Sequence, residues 1–283
     1  MKTAVVVTGA SRGFGRCLAL DFCREIRDSH VDLVLWARHD ADLQETASLA
    51  RSAWSAAAGN ELRVSVRAVD LSQPAQYAAA VDELLVQLQA EQYARIYLVH
   101  NAGSLGELGY PDEWTSSPAA YSAFWEFNVT SVMWLNKRFL DVFGLEHASS
   151  ATTALSIVNI TSLCGIEPFR THGWYCTSKA AREMHHRVLA AEYDGSNGRR
   201  RVRILSYSPG PMDTDMQSTL RESSRVHPEY VAMFNKLKAD GTLLAPEASS
   251  RRGVRLVLSD SFESGAHVDY YDLEDSSNGV GAQ

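Results

Sequence analysis

The chain has 283 residues, 45% hydrophobic, which is enough for one large α/β domain or two small ones. Asp and Glu outnumber Lys and Arg by 34 to 27, and the formal charge of −7 argues against a general nucleic-acid or anionic-membrane binder. No run is long enough to span a bilayer, and no Pro/Gly/Ser-rich linker or internal repeat divides the chain.

One domain over residues 1–272 is therefore expected in a soluble cytoplasmic protein, followed by a disordered Ser/Gly-rich tail over 273–283. Cys17, Cys23, Cys164 and Cys176 lack Cys-x-x-Cys or metal-ligand spacing and read as reduced, packed thiols. The histidines have no companion ligands at useful spacing, so no metal is expected.

Val5-Val6-Val7 reads as a buried strand that runs into Thr8-Gly9-Ala10-Ser11-Arg12-Gly13-Phe14-Gly15. From Arg16 to Arg27 the apolar spacing of Leu18, Phe22 and Ile26 predicts a helix. Strand, glycine turn and helix in this order suit a dinucleotide. Glycines let the backbone approach a pyrophosphate, and the helix N-terminus offers unpaired N–H groups. The competing reading is a tight turn with no ligand.

Further strands are expected at Val31 to Ala37, Leu62 to Val69, Ile96 to His100, Ala154 to Ile160, Val202 to Tyr207 and Ala266 to Tyr270. Helices are expected at Ala41 to Ala58, Ala75 to Glu91, Ala119 to Phe143 and Trp174 to Glu192. The alternation predicts an α/β fold, a single-domain Rossmann-type doubly wound parallel β-sheet with helices on both faces. Ligands of such a sheet sit beyond the carboxyl ends of the strands.

The second strand ends in Arg38-His39 where an NAD enzyme commonly places an acid, so a 2′-phosphate and NADP(H) are favoured, with Arg12 as a second guanidinium. Asp40 and Asp42 fit helix capping. Asp70 has two readings, an acceptor for the adenine amino group with Leu71 beside the ring, or an N-cap. Asn101-Ala102-Gly103 allows close backbone approach to a cofactor or is a plain turn. Asn128 either holds a water near Lys179 or satisfies a carbonyl of a bent helix.

Tyr175 and Lys179 stand four apart on a predicted helix, so they share a face, with Ser162 thirteen residues upstream of Tyr175. A phenol titrates near pH 10 and carries protons poorly at neutrality unless a cation stabilises its phenolate, the task assigned to Lys179. With Ser162 binding a substrate oxygen, this set suits interconversion of a carbonyl and an alcohol.

Together, Thr8-Gly9-x-x-x-Gly13-x-Gly15, Asp70, Asn101-Ala102-Gly103, Asn128, Ser162, Tyr175-x-x-x-Lys179 and Pro209-Gly210 resemble the motifs of the short-chain dehydrogenase/reductase family in its classical branch. They cover residues 3 to about 215 in order, with one departure at His100, where Asn often precedes the Asn-Ala-Gly. The resemblance implies that Ser162, Tyr175, Lys179 and Asn128 are catalytic. It also implies that Met212, Asp213, Thr214, Asp215, Met216 and Gln217 line the nicotinamide end of NADPH, and that the protein forms a homodimer through the helices ending at Phe143 and Glu192.

The ending Ser264-Gly265-Ala266-His267-Val268-Asp269-Tyr270-Tyr271-Asp272 is similar to that of the family's pterin reductases. This implies a pterin substrate bordered by Ser162, Leu163, Tyr175 and Gly210 and anchored by Asp269. A carboxylate can accept from the 2-amino group and the adjacent ring N–H together. The bland reading of Asp269 is a turn cap, with Asp272 as its competitor. Two rival functions are a diketone or general carbonyl reductase of the same family and a non-catalytic NADP(H)-binding redox sensor.

Overall fold

The computed structural model describes residues 1–55, 59–145 and 153–273. Strand β1 (Lys2–Thr8) is buried from Thr3 onward, with Ala4 and Val6 in one core and Val5 and Val7 in the other. Burial on both faces is why a continuous Val run marks this strand, with no alternation. Around it lie β2 (His30–Ala37), β3 (Leu62–Ala68), β4 (Arg95–His100), β5 (Ala154–Ile160), β6 (Arg203–Ser208) and β7 (His267–Asp269). All pairs are parallel, in the order β3-β2-β1-β4-β5-β6-β7.

The helices in chain order are α1 (Gly13–Glu25), α2 (Asp40–Ala53), α3 (Pro74–Gln89), α4 (Pro118–Trp125), α5 (Ser131–Phe143), α6 (Gly173–Glu192), α7 (Asp215–Glu222), α8 (Pro228–Ala239) and α9 (Pro246–Ser259). α1, α2 and α9 bury Phe22, Leu43 and Val254 against one face of the sheet. α3, α5 and α6 bury Leu84, Phe139 and Leu189 against the other. Among the described residues, no helix is long and apolar enough to cross a membrane.

Three differences from the sequence reading have local causes. The single helix expected from Ala119 to Phe143 is two helices joined by a π turn at Glu126–Thr130, where Asn128 Nδ2 donates to Phe124 O at 3.0 Å. α7, α8 and α9 were not individually expected. Yet Thr214 caps Gln217 N, and prolines open α8 and α9, both recognisable start signals. Helix α2 ends at Ala53, short of the expected Ala58; positions 56–58 and the tail over 274–283 lie outside the described residues.

Candidate active site

Between β1 and β4 the strand order reverses, and beyond their carboxyl ends lies a cleft of about 480 Å³. Its phosphate side is built from backbone. Gly9 has φ 68°, and a Cβ there would press on Ala102 Cα at 2.9 Å. A Cβ on Gly15 would overlap Gly9 O and Asn101 Nδ2, so only glycine lets α1 begin this close to the strand end. Asn101 ties the two turns together by donating to Thr8 O and Gly9 O, each at 3.1 Å. The first turn of α1 holds no acidic side chain, which keeps its amides suited to an anion. These features fit a dinucleotide pyrophosphate.

Of the residues expected at a cofactor, Gly9, Ser11 to Gly15, Arg38, His39, Leu71, Asn101 to Gly103, Tyr175, Lys179, Pro209, Met212 and Thr214 to Met216 line this cleft. Ala10, Asp70, Gly210, Asp213 and Gln217 do not. Ala10 is buried in the core behind the turn. Asp70 Oδ1 accepts from both Ser72 N and Ser72 Oγ, so it shapes the turn before α3, whose N-cap is Gln73 and not Asp70. Asp213 pairs with Lys238 at 2.6 Å, and the Gln217 side chain accepts from Arg221.

Arg38 is exposed on the cleft and, among the described residues, has no ion-pair partner. Arg12 differs from expectation, since its guanidinium is engaged by Asp215. Asp40 and Asp42 sit in the first turn of α2, whose N-cap is His39, where they favour the helix dipole without capping it. The sequence reading missed Trp36, Ala37, Asp42, Val69, Phe127, Ile160 and Thr161 as lining residues. All but Phe127 adjoin or closely follow predicted strand ends, which was the available signal; Phe127 enters through the π turn.

Ser162, Tyr175 and Lys179 come together as expected. Tyr175 and Lys179 line the cleft, and Ser162 stands near the phenol, its Oγ accepting from Cys164 N at 3.2 Å. Lys179 is buried, donates from Nζ to Ile160 O at 2.7 Å, and lies 5.5 Å from the centre of the Tyr175 ring. Burial, then the nearby Cys164 thiol, holds the Tyr175 phenol above its usual range, with Arg182 and Ser162 opposing. Burial, then repulsion from Arg182, pushes Lys179 well below its ordinary value. Arg182 is thus a second positive charge near the phenol, beside the Lys179 to which the spacing pointed.

Asn128 uses its side chain on the chain itself, accepting from Ser104 N at 2.9 Å and donating to Ser104 Oγ and Phe124 O. It stands across Gly103 from Lys179, since a Cβ on that glycine would lie 3.6 Å from Asn128 Oδ1 and 3.8 Å from Lys179 Nζ. Asp269 is buried at the end of β7; its Oδ2 accepts from Ser208 Oγ at 2.6 Å and its Oδ1 from Tyr271 N at 3.0 Å. Asp272 returns the cap to Asp269 N at 2.8 Å. The cap read as the bland alternative is present, and with the Ser208 bond it leaves about two of roughly four acceptor sites on the carboxylate. Leu163 is exposed beside Ser162. Cys164 is buried, and Cys176 Sγ lies 3.9 Å from Phe169 O.

A family model described as short chain dehydrogenase matches residues 3–225. The chain is 40% identical over 270 residues to sepiapterin reductase of Meriones unguiculatus, covering 94% of this chain and 95% of that protein. It is 36% identical over 271 residues to sepiapterin reductase of Bos taurus, covering 96% and 95%. Among solved structures, the KRED1-Pglu enzyme superposes with a TM-score of 0.75 at 26% identity, covering 95% of this chain and 100% of that one.

Proposed function

The chain belongs to the short-chain dehydrogenase family and is an oxidoreductase that takes a nicotinamide cofactor. From that premise we propose that it reduces the side-chain ketone of sepiapterin, or of a related pyruvoyl-type tetrahydropterin, with NADPH, in the cytoplasm, as in the closing steps of tetrahydrobiopterin formation. The observation that carries the chemistry is that Tyr175 and Lys179, with Ser162 near the phenol, stand on the wall of the same cleft as the glycine turn. Likeness to sepiapterin reductases over nearly the whole of both chains supports the substrate.

NADPH, when bound, supplies the hydride. The turn from Gly9 to Gly15 would hold its pyrophosphate and Arg38 its 2′-phosphate. Ser162 orients the ketone oxygen, and Tyr175 gives that oxygen its proton. Tyr175 is protonated at neutral pH; burial makes it a weaker acid, and the Arg182 charge and Ser162 work against that upward pull. Once the proton has left, the phenolate lies near the Arg182 charge, and its own negative charge raises the proton affinity of Lys179. The free acceptor sites of Asp269 would anchor the pterin amino edge.

We assign a second copy of the chain to the exposed Met133 and Trp134 of α5 and Met184 and Val188 of α6, giving a homodimer that sedimentation would detect. The deciding assay follows the loss of reduced-nicotinamide absorbance with sepiapterin, with simple diketones, and with NADH in place of NADPH. Reduction of sepiapterin with NADPH preferred is the expected result. Turnover of diketones with no activity on any pterin would replace this reading by a general carbonyl reductase.

A further inference from the structure

His100, the one departure from the family motif, is 1% exposed and belongs to a closed ring of hydrogen bonds. Arg182 Nη2 donates to His100 O at 2.6 Å, and His100 Nε2 bonds Asn136 Oδ1 at 2.7 Å. Asn136 Nδ2 meets His186 Nε2 at 3.2 Å, and His186 Nδ1 meets Arg182 O at 2.7 Å, which closes the ring. Donor and acceptor rules allow one assignment. The Arg182 carbonyl accepts, so His186 carries its hydrogen on Nδ1; its Nε2 accepts from the Asn136 amide, whose oxygen accepts from His100 Nε2–H.

Arg182 is also 1% exposed and makes two further bonds, from Nη1 to Ala102 O at 3.0 Å and from Nε to Asn159 Oδ1 at 2.8 Å. All three guanidinium acceptors are neutral, an expensive setting for a buried cation. The rigid fork grips the carbonyls on either side of Asn101, the residue that holds the glycine turn through Thr8 O and Gly9 O. At the other end, Arg182 lies three residues beyond Lys179 and seven beyond Tyr175, on one face of α6.

Resting on the reading that Tyr175 and Lys179 act beside the nicotinamide, we propose that Arg182, locked by His100, Asn136 and His186, is a positioning residue that sets the catalytic helix against the cofactor turn. The ring lets a lesion far from the reacting atoms change their alignment. Misplacement of reacting groups by an ångström is enough to cost roughly a hundredfold in rate.

The test compares Arg182→Met, Arg182→Lys and Asn136→Leu by kcat, ketone KM, NADPH affinity from fluorescence titration, and thermal melting. Arg182→Met is expected to lower kcat about ten- to a hundredfold and weaken NADPH binding, with ketone KM nearly unchanged. Arg182→Lys recovers part of both losses, and Asn136→Leu shifts both in the same direction by less. A folded Arg182→Met protein with wild-type kcat and NADPH affinity overturns the proposal, even if it melts earlier. Should that variant not fold, wild-type values in the other two overturn it. NADPH affinity is read without a ketone, and a diketone replaces sepiapterin if the pterin is not turned over, so failure of the pterin assignment is distinguishable from failure here.

Discussion

The glycine-turn side of the cleft and the neighbouring α7–α8 region are held by different means. On the cofactor side, β1, β2 and β4 lie inside the sheet, and the glycine turn is braced by backbone contact and by Asn101. Beside it, α7, α8 and the loops facing them share a small apolar cluster of Leu108, Leu220, Val226 and Phe234. Polar bonds do much of the remaining work: Arg225 donates to Leu108 O at 2.9 Å and Glu113 O at 2.8 Å, and His227 N donates to Thr171 Oγ1 at 2.9 Å. Thr171 holds a left-handed φ of 66° there, a costly conformation for a β-branched residue. A sheet-braced half can stay constant while a loop-built half adapts to different ketones.

The sharpest way to separate the two halves is Tyr175→Phe, which removes the proposed proton donor and leaves the glycine turn intact. Its kcat should fall about a hundred- to ten-thousandfold while NADPH titration remains near wild type. Next in size, Arg38→Gln should reduce the preference for NADPH over NADH by roughly ten- to a hundredfold, as expected for losing a charge-assisted bond. Ketone KM in that variant should hold.

Arg225→Ala probes the other half. Losing two bonds to backbone carbonyls should raise ketone KM severalfold, at about 0.5 to 1.5 kcal/mol each, and leave NADPH affinity unchanged. An equal loss of both affinities would show that the halves are not independent.

A separate effect is read from stability against pH. Burial lowers His100 to about 3 and pushes His186 well below its ordinary value. Their neutral forms are the folded ones, so this stability is complete above the unfolded value near 6.5 and is lost as pH falls toward the folded values, by up to about 1.4 kcal/mol per pH unit per histidine. His267 runs the other way: its value is raised, chiefly by a bond with Glu183, so its contribution is present at low pH and lost as pH rises through the folded value. Melting curves of His186→Gln below pH 6.5 should show a shallower acid loss than wild type; an identical slope would remove His186 from this account.

Legibility in the sequence followed the same division. The glycine turn, the strand ends and the Tyr175/Lys179 spacing were readable because their geometry is local: a positive φ, a tight approach and one helical turn each constrain residues close together in the chain. Thr214, Pro228 and Pro246 were start signals of the same local kind that went unused. The π turn at Asn128 was read only as far as the bend, because its partner Ser104 lies 24 residues away.

From the sequence alone, the order of the strands, the glycine turn and the placing of Tyr175 one helical turn before Lys179 could be read, since each depends on periodicity or on spacing within a single turn or helix. Only the tertiary structure decided that Arg12 meets Asp215, that Asp269 caps a turn and receives Ser208, and that Arg182 is buried with its guanidinium on His100 O, Ala102 O and Asn159 Oδ1. The reason is physical. Burial and electrostatic fields depend on which distant segments exclude water around a group, and those segments meet only when the sheet is assembled.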